Sequence, residues 1–303
     1  MISVVMPTYR EDPEVLHDAI KSILNQTYSD FEFIIVLDDP QNEELKNVVN
    51  SFNDSRIKFF INEKNMRIPA TLNKAVALAK GEYIAHIDAD DICIPTRLEH
   101  QLKYLQEGNW DFIGGITQII DENGENIYSI KHIPENDKNI KKALKYGQCL
   151  AHSTWLFKRE VFDRINGYRN IELCEDYDFT LRAALKGFRI SNLNEVVVQY
   201  RMTKDSVSRT NLYDQYLFLN YLSTEYKKGK IADVELARAY VKKNTNDKKA
   251  RKYARSNVLF NKMLNELEEH QWSQFIPHGF QLVFSSSAYL NKIYKLARLS
   301  AIK

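Results

Sequence analysis

The chain has 303 residues, 44% of them hydrophobic, which is enough for one large domain or two smaller ones. Its formal net charge of +2 gives no whole-chain case for nucleic-acid binding, and none is expected. The three cysteines, Cys93, Cys149 and Cys174, are far apart and form no CxxC pair, so neither a disulfide framework nor a zinc site is indicated. No run of about 18 apolar residues is present. The chain opens on an apolar strand instead of a basic leader with a small-residue cleavage site, and a reducing cytoplasm is the expected setting.

In chain order, Ile2 to Met6 is a continuous apolar run ended by Pro7, the pattern of a buried parallel strand. Val15 to Leu24 carries apolar residues at helical spacing. Phe31 to Leu37 (FEFIIVL) predicts a second buried strand, Leu45 to Phe52 a helix face, and Ile57 to Ile61 a third strand. Leu72 to Ala79 marks the next helix, closed by Gly81, and Tyr83 to Ile87 the fourth strand. Strands alternating with helices imply right-handed βαβ units, a parallel sheet, and a ligand site at the carboxyl ends of the strands. Tyr9, Asp38 and the cluster Asp88, Asp90 and Asp91 all fall just past such ends.

The stretch KGEYIAHIDADDICIPTRLE (residues 80–99) organises the rest. Carboxylates packed at the end of a buried strand repel one another unless a cation lies between them. On a continuing strand Asp88 and Asp90 point the same way. No glycine precedes Gly81, which excludes a Walker loop, a GxGxxG fingerprint and the glycine-rich loop of nucleotidyltransferases. Phosphates bound here must therefore be held by a metal and side chains.

Further on, Leu98, Leu102 and Leu105 mark an amphipathic helix, and Asp111 to Ile120 a strand whose Gly114 and Gly115 suggest a bend or close backbone approach. Asp121 to Gly124 is a turn signal, and residues 131–147 read as a polar, lysine-rich surface excursion. His152 precedes a short apolar strand and reads either as a hydrogen-bonded structural residue or as part of the site. Glu175 and Asp176 open a helix on which Tyr177, Leu181, Ala184 and Leu185 face one way. Their bland role there is to complement the helix dipole.

This set of stretches resembles the family 2 glycosyltransferases of GT-A fold, the inverting, bacterial surface-polysaccharide type. The resemblance covers about residues 2–210. MPTYRED resembles the segment that lies against the nucleobase, implying nucleotide contacts from Pro7, Thr8, Tyr9 and Glu11. LDDP stands where the family reads DDGS, with Leu37 at the first Asp, Asp38 at the second and Asp39 at the glycine, so Asp38 becomes the base contact. NEKNMRIPATLNKA resembles the stretch linking base and diphosphate sites, with Arg67 where glycine is frequent, within reach of the phosphates or solvated. IDADD resembles the DxD motif, which holds ribose and diphosphate through Mn²⁺ or Mg²⁺. Carried over, Asp90 is the direct metal ligand and Asp88 the ribose or outer metal contact. LAHSTWLFKREVF resembles the acceptor side, implying His152 and Trp155. CEDYDF resembles the ED motif that deprotonates the acceptor hydroxyl, implying Asp176 as base with Glu175 as the alternative. EVVVQYRMTKDSVSRT matches the family's YR-x-H-x-x-S-x-S pattern with Thr203 at the histidine position.

From Leu212 onward the sequence turns helical, with a polar link around Asn244 to Lys249. Residues 241–303 hold twelve Lys and Arg against four Asp and Glu. Together with the aromatic-bearing segment Trp272 to Tyr294, this suits either a helical cap or an anionic membrane surface. The expected architecture is an α/β GT-A domain over 1–210, with a nucleotide-binding half near 1–110 and an acceptor half near 111–210. A helical extension follows over 211–303. The implied activity is metal-dependent, inverting transfer of a sugar from a nucleotide donor, expected to be UDP-linked. The implied acceptor is a hydroxyl of a saccharide or lipid-linked saccharide, at the cytoplasmic face of the membrane. A sugar-nucleotide nucleotidyltransferase and a catalytically silent nucleotide-binding module are the rival readings. The missing glycine-rich loop counts against the first, and the retained carboxylates against the second.

Overall fold

The computed structural model describes residues 1–130, 133–171, 173–202, 211–268 and 270–302. The two continuous apolar runs form the centre of the molecule. β1 (Ile2–Thr8) and β2 (Phe31–Leu37) pair in parallel, Ile2 opposite Phe31, and nearly every side chain on both is buried. Such runs lack alternation because both faces of the sheet are covered. α1 (Pro13–Leu24) covers one face with Leu16, Ala19, Ile20 and Ile23, starting at Asp12, whose side chain accepts from the Glu14 N–H. β3 (Ile57–Ile61) lies at the edge beside β2, half-exposed and with Lys58 outward, and α2 (Glu43–Asn50) connects the two. α3 (Arg67–Leu78) leads to β4 (Tyr83–His86) on the other side of β1. The order β3-β2-β1-β4 is parallel throughout, as the strand–helix alternation required.

Beyond β4 the sheet becomes mixed. β8 (Leu156–Lys158) runs antiparallel to β4 and to β6 (Phe112–Ile120), and β9 (Ile190–Arg201) runs parallel to β6. β5 (Ile92–Cys93) pairs antiparallel with β9, and β7 (Asn126–Ser129) forms a hairpin with β6 across the Asp121–Gly124 turn. At Gly114 a Cβ would lie 2.4 Å from the Asn192 side chain, next to register shifts between β6 and β9. The glycine pair therefore marks a close approach. Gly81 serves a different end from the helix stop read in the sequence. α3 has already ended at Leu78, and a Cβ on Gly81 would sit 2.6 Å from the Ser3 backbone nitrogen.

The segment read as a polar excursion is instead partly core. Asn136 caps α5 (Asp137–Ala143), whose Ile140 and Ala143, with Leu144, are fully buried. Three apolar residues at helical spacing suffice to anchor a lysine-rich helix, because the lysines share the opposite face. α4 (Arg97–Glu107) and α6 (Arg159–Ile165) flank the sheet, and α7 (Glu175–Leu185) is buried along almost its whole length.

Five helices follow: α8 (Leu212–Lys227), α9 (Val234–Asn244), α10 (Asp247–Glu268), α11 (Trp272–Val283) and α12 (Ser287–Ser300). They are not a separate body. Tyr177 of α7, Leu217 of α8, Tyr253 of α10 and Tyr289 of α12 belong to one hydrophobic cluster that also contains Val5 and Ile34 of the sheet. Among the described residues, no helix is long and apolar enough to cross a membrane.

Candidate active site

The carboxyl edge of the parallel strands gathers the predicted residues. After β1, the Glu11 carboxylate accepts from Thr8 Oγ1 at 2.5 Å and from the Tyr9 N–H at 2.8 Å, folding Pro7–Glu11 into a tight corner. Arg10 stacks over the Tyr9 ring and donates to Asp39 at 3.0 Å, holding the Asp39 carboxyl below its ordinary range. After β2, Asp38 is 5% exposed and its carboxylate is spent inside the protein. It accepts from Asn62 Nδ2 at 2.6 Å and from the backbone N–H groups of Met66 and Arg67, each at 2.8 Å. Met66 gives α3 no side-chain cap, so Asp38 satisfies the orphan donors at that helix start. Arg67 adopts a φ of +67°, a conformation that favours glycine, and its side chain is exposed.

β4 ends at His86, so the same-side alternation expected for Asp88 and Asp90 does not apply; the acidic cluster sits on a turn closed by Asp91 N–H to Asp88 O. The Asp88 N–H donates to Ser153 Oγ, and Asp88 Oδ1 lies 2.9 Å from His86 Nε2. Burial pushes the Asp88 carboxyl up, but the charge and hydrogen bond of His86 outweigh it and hold the group at about 2. Asp90 is pushed up to about 7 by burial, then by the charges of Asp88 and Glu11. Asp91 is fully buried and structural on one side, where Oδ1 accepts from the Arg201 N–H, while among the described residues its Oδ2 has no partner. Burial and its two acidic neighbours raise it well above the ordinary range.

The second acidic pair opens α7. Glu175 is pushed up to about 8, by burial first and then by Asp176; Asp176 is raised by burial. Both also feel the charge of Asp88, so two motifs some 85 residues apart in sequence converge on one site. Asp176 accepts from the Tyr177 N–H at 2.6 Å and, through Oδ2, from Gln148 Nε2 at 3.4 Å. Just before them Leu173 has a φ of +68°, a strained conformation for a branched side chain beside the site. Buried Asp178 anchors the helix by bonding Arg169 and Arg182, and Arg182 in turn donates to the Ile165 and Gly167 carbonyls.

Two acceptor-side expectations part here. His152 stacks on His86 with ring centroids 3.8 Å apart and bonds Tyr168 OH at 3.0 Å; burial and His86 hold it neutral. Trp155 is a correction: it has no exposed surface, packs among Phe112, Phe179 and Tyr168, and donates to the Leu150 carbonyl, so it is core. Thr203 lies outside the described residues. Three positions that the sequence reading did not single out hold the acidic turn. His86 grips Asp88, Arg201 donates to the Asp90 carbonyl, and buried Arg97 donates to the His86 carbonyl at 2.7 Å. His86 was two residues before Asp88 and Arg201 stood within the quoted YR pattern, which are the only signals the sequence offered.

The donor atoms fit a hard divalent cation. Asp90 and Asp91 are raised first by burial and then by acidic neighbours, Asp88 and Glu11 for Asp90 and Asp90 and Asp88 for Asp91, a repulsion that a cation would relieve; among the described residues Asp91 Oδ2 is buried without a partner. Ligand atoms of His86, Asp88 and His152 also lie within 4.8 Å of one another. Both imidazoles, however, already spend Nε2 on Asp88 and Tyr168, which leaves the carboxylate oxygens as the better donors.

A parallel half-sheet with a carboxylate cluster at its carboxyl edge, facing a second acidic pair at a helix start, defines a glycosyltransferase of the GT-A class. Residues 3–165 match the model of the family described as glycosyl transferase family 2, and the chain belongs to that family, whose enzymes generally depend on a divalent metal. It is 36% identical over 216 residues to the O-antigen biosynthesis glycosyltransferase WbnJ of Escherichia coli, spanning 70% of this chain and 84% of that one. It is 30% identical over 210 residues to the UDP-Gal:alpha-D-GlcNAc-diphosphoundecaprenol beta-1,3-galactosyltransferase of Escherichia coli, spanning 68% and 76% of the two chains. Among solved structures, S. aureus TarS 1-349 in complex with UDP-GlcNAc matches with a TM-score of 0.60 over 98% of this chain and 87% of that one. At 17% identity, that likeness concerns the fold alone.

Proposed function

We propose that this glycosyltransferase moves a hexose from a UDP-linked donor to a hydroxyl of a saccharide carried on a lipid diphosphate, with inversion at the anomeric carbon. The observation that carries the reading is the convergence of the two acidic motifs: Glu175 and Asp176 both feel the charge of Asp88, which shares its turn with Asp90. The UDP donor and lipid-diphosphate acceptor are supported by the likeness to the UDP-Gal:alpha-D-GlcNAc-diphosphoundecaprenol beta-1,3-galactosyltransferase. We read residues 1–210 as the catalytic unit and 211–303 as a helical extension built onto its core.

In this reading Pro7, Thr8, Tyr9 and Glu11 border the nucleoside, and Arg67 stands over the phosphates at the head of α3. Asp90 and Asp88 would hold a Mn²⁺ or Mg²⁺ ion, which would supply positive charge to offset that gained by the departing diphosphate. Asp176 takes the proton of the acceptor hydroxyl as its oxygen bonds to the anomeric carbon; the carbon–oxygen bond to UDP breaks and its electrons leave with the diphosphate. Glu175, once ionised, is a like charge beside Asp176 and so strengthens Asp176 as a base. His86 and Ser153 fix Asp88 so that this side of the site is in place before donor arrives.

The test is a panel of sugar nucleotides scored for Mn²⁺-dependent hydrolysis and for transfer to lipid-diphosphate saccharides. Asp90→Asn should abolish metal-dependent UDP binding in a folded protein. Asp176→Asn should keep donor binding while transfer falls about 10²–10⁴-fold. Undiminished UDP affinity in Asp90→Asn, or in excess chelator, refutes the metal assignment. Loss of transfer in Glu175→Gln with a near-normal Asp176→Asn moves the base by one residue.

A further inference from the structure

Four of the five C-terminal helices are accounted for by the core, and α11 is the exception. α8, α10 and α12 turn Tyr213, Tyr253 and Tyr289 into one buried aromatic cluster, and α9 packs Ala237 and Val241 inward. α11 buries only Leu282 completely. Trp272, Ile276, Phe280 and Val283, with Phe284 at its cap, are 53%, 55%, 67%, 54% and 82% exposed. Steps of four residues advance about 40° around a helix, so these side chains share an arc of about 120°. The helix contains no Asp, Glu, Lys or Arg. A continuous apolar face of this kind marks an interaction surface.

Cations border it. Between α10 and α11 a cleft of about 230 Å³ is lined by Lys252, Arg255, Ser256, Ser285 and Phe284. Lys252 and Arg255 are exposed, and among the described residues neither has an acidic partner. The surrounding region, 241–303, carries twelve Lys and Arg against four Asp and Glu. A second copy of this chain is a poor occupant, because a two-fold contact would bring the same cations together. An anionic lipid surface satisfies both halves of the pattern, apolar face and flanking cations.

We propose that α11 lies in the plane of an anionic membrane surface, with Phe280 and Phe284 in the acyl boundary and Lys252 and Arg255 on lipid phosphates. The inference rests on this face and its cations and is independent of the transfer reaction. It is tested by sedimenting the full chain with phosphatidylcholine vesicles, with and without phosphatidylglycerol, at low and high salt. The bound fraction should need the anionic lipid and fall with salt. Phe280→Ser with Phe284→Ser, and separately Lys252→Gln with Arg255→Gln, should each weaken binding about tenfold or more. All four side chains are at the surface, and donor hydrolysis without vesicles should be unchanged in both variants, which separates this surface from the catalytic reading. A parent protein that stays in the supernatant with anionic vesicles at low salt overturns the proposal. So does binding unaffected by the phenylalanine pair, or a soluble dimer that the same pair dissociates.

Discussion

Asp38→Asn separates two roles that the sequence alone could not tell apart, contact with the base and closure of α3. The substitution removes one charge and replaces one acceptor oxygen with a donor. In the parent, Oδ1 accepts from Asn62 Nδ2 and Met66 N, and Oδ2 from Arg67 N. Whichever way the new amide turns, its NH₂ meets at least one of these donors. Asn62 cannot rotate to compensate, because its own Oδ1 accepts from Lys74 Nζ at 2.7 Å. Hydrogen bonds to a buried charged group contribute about 1.5–3 kcal/mol each, and leaving a buried donor unsatisfied costs a similar amount. With the NH₂ turned toward the Arg67 N–H, two bonds survive without their charge and one is lost, and the expected loss is about 3 kcal/mol. For a denaturant slope of about 3 kcal/mol per molar urea, that moves the unfolding midpoint by about 1 M. Urea unfolding followed by circular dichroism gives the stability, and calorimetry with UDP gives the affinity at temperatures where the variant stays folded. A variant within about 0.5 kcal/mol of the parent that has nonetheless lost UDP binding would refute the capping role and restore the direct contact with the base.

Three further outcomes follow from the geometry of the site. Glu175 is raised to about 8, so the acidic pair should lose its last proton near there, and the transfer rate should climb with pH across that range. Glu175→Gln should shift the climb to lower pH, and a pH–rate profile that does not move excludes Glu175 from the titration. The sign for stability is fixed by the same shift: the folded chain favours protonated Glu175, so stability is full below its ordinary 4.5 and is lost as pH rises through about 8. Glu175→Gln should therefore be the more stable protein in alkaline buffer, as melting curves at pH values on either side will report. Arg67→Gly relieves a positive φ that costs about 1 kcal/mol but adds freedom to the unfolded chain. A melting temperature up by about 1–2 °C with severalfold weaker donor binding is expected; unchanged donor affinity makes Arg67 a bystander.

Continuous burial is legible in a linear sequence, and this is why β1, β2 and the parallel half-sheet were read correctly from Ile2–Met6 and Phe31–Leu37. The acidic clusters at 88–91 and 175–176 were legible as clusters, since each combines an unusual charge density with a place near a strand or helix end. What could not be read were obligations between distant residues. Asp38 is committed to backbone groups 28 and 29 positions later, and nothing local says so. Trp155 follows His152 closely enough to share its motif, yet the backbone turns the indole into the core. His86 was masked by its strand, where a lone histidine in an apolar run gives no sign of gripping the carboxylate two residues on. In residues 133–147 the lysines outweighed a narrow apolar stripe, because composition counts charges while packing needs only a few well-spaced side chains.

The single core that joins α7 to the C-terminal helices sets an order on synthesis. The parallel half-sheet is complete by His86 and can condense while the rest of the chain is still being made. α7 cannot finish in the same way. Its Tyr177 belongs to a cluster that also needs Tyr253 and Tyr289, the second of them more than 100 residues downstream. Until α12 leaves the ribosome, the apolar flank of the helix that carries Glu175 and Asp176 stays wet. A nascent chain halted before Ser287 therefore presents a finished nucleotide edge beside an open hydrophobic wall, the kind of surface on which chaperones act.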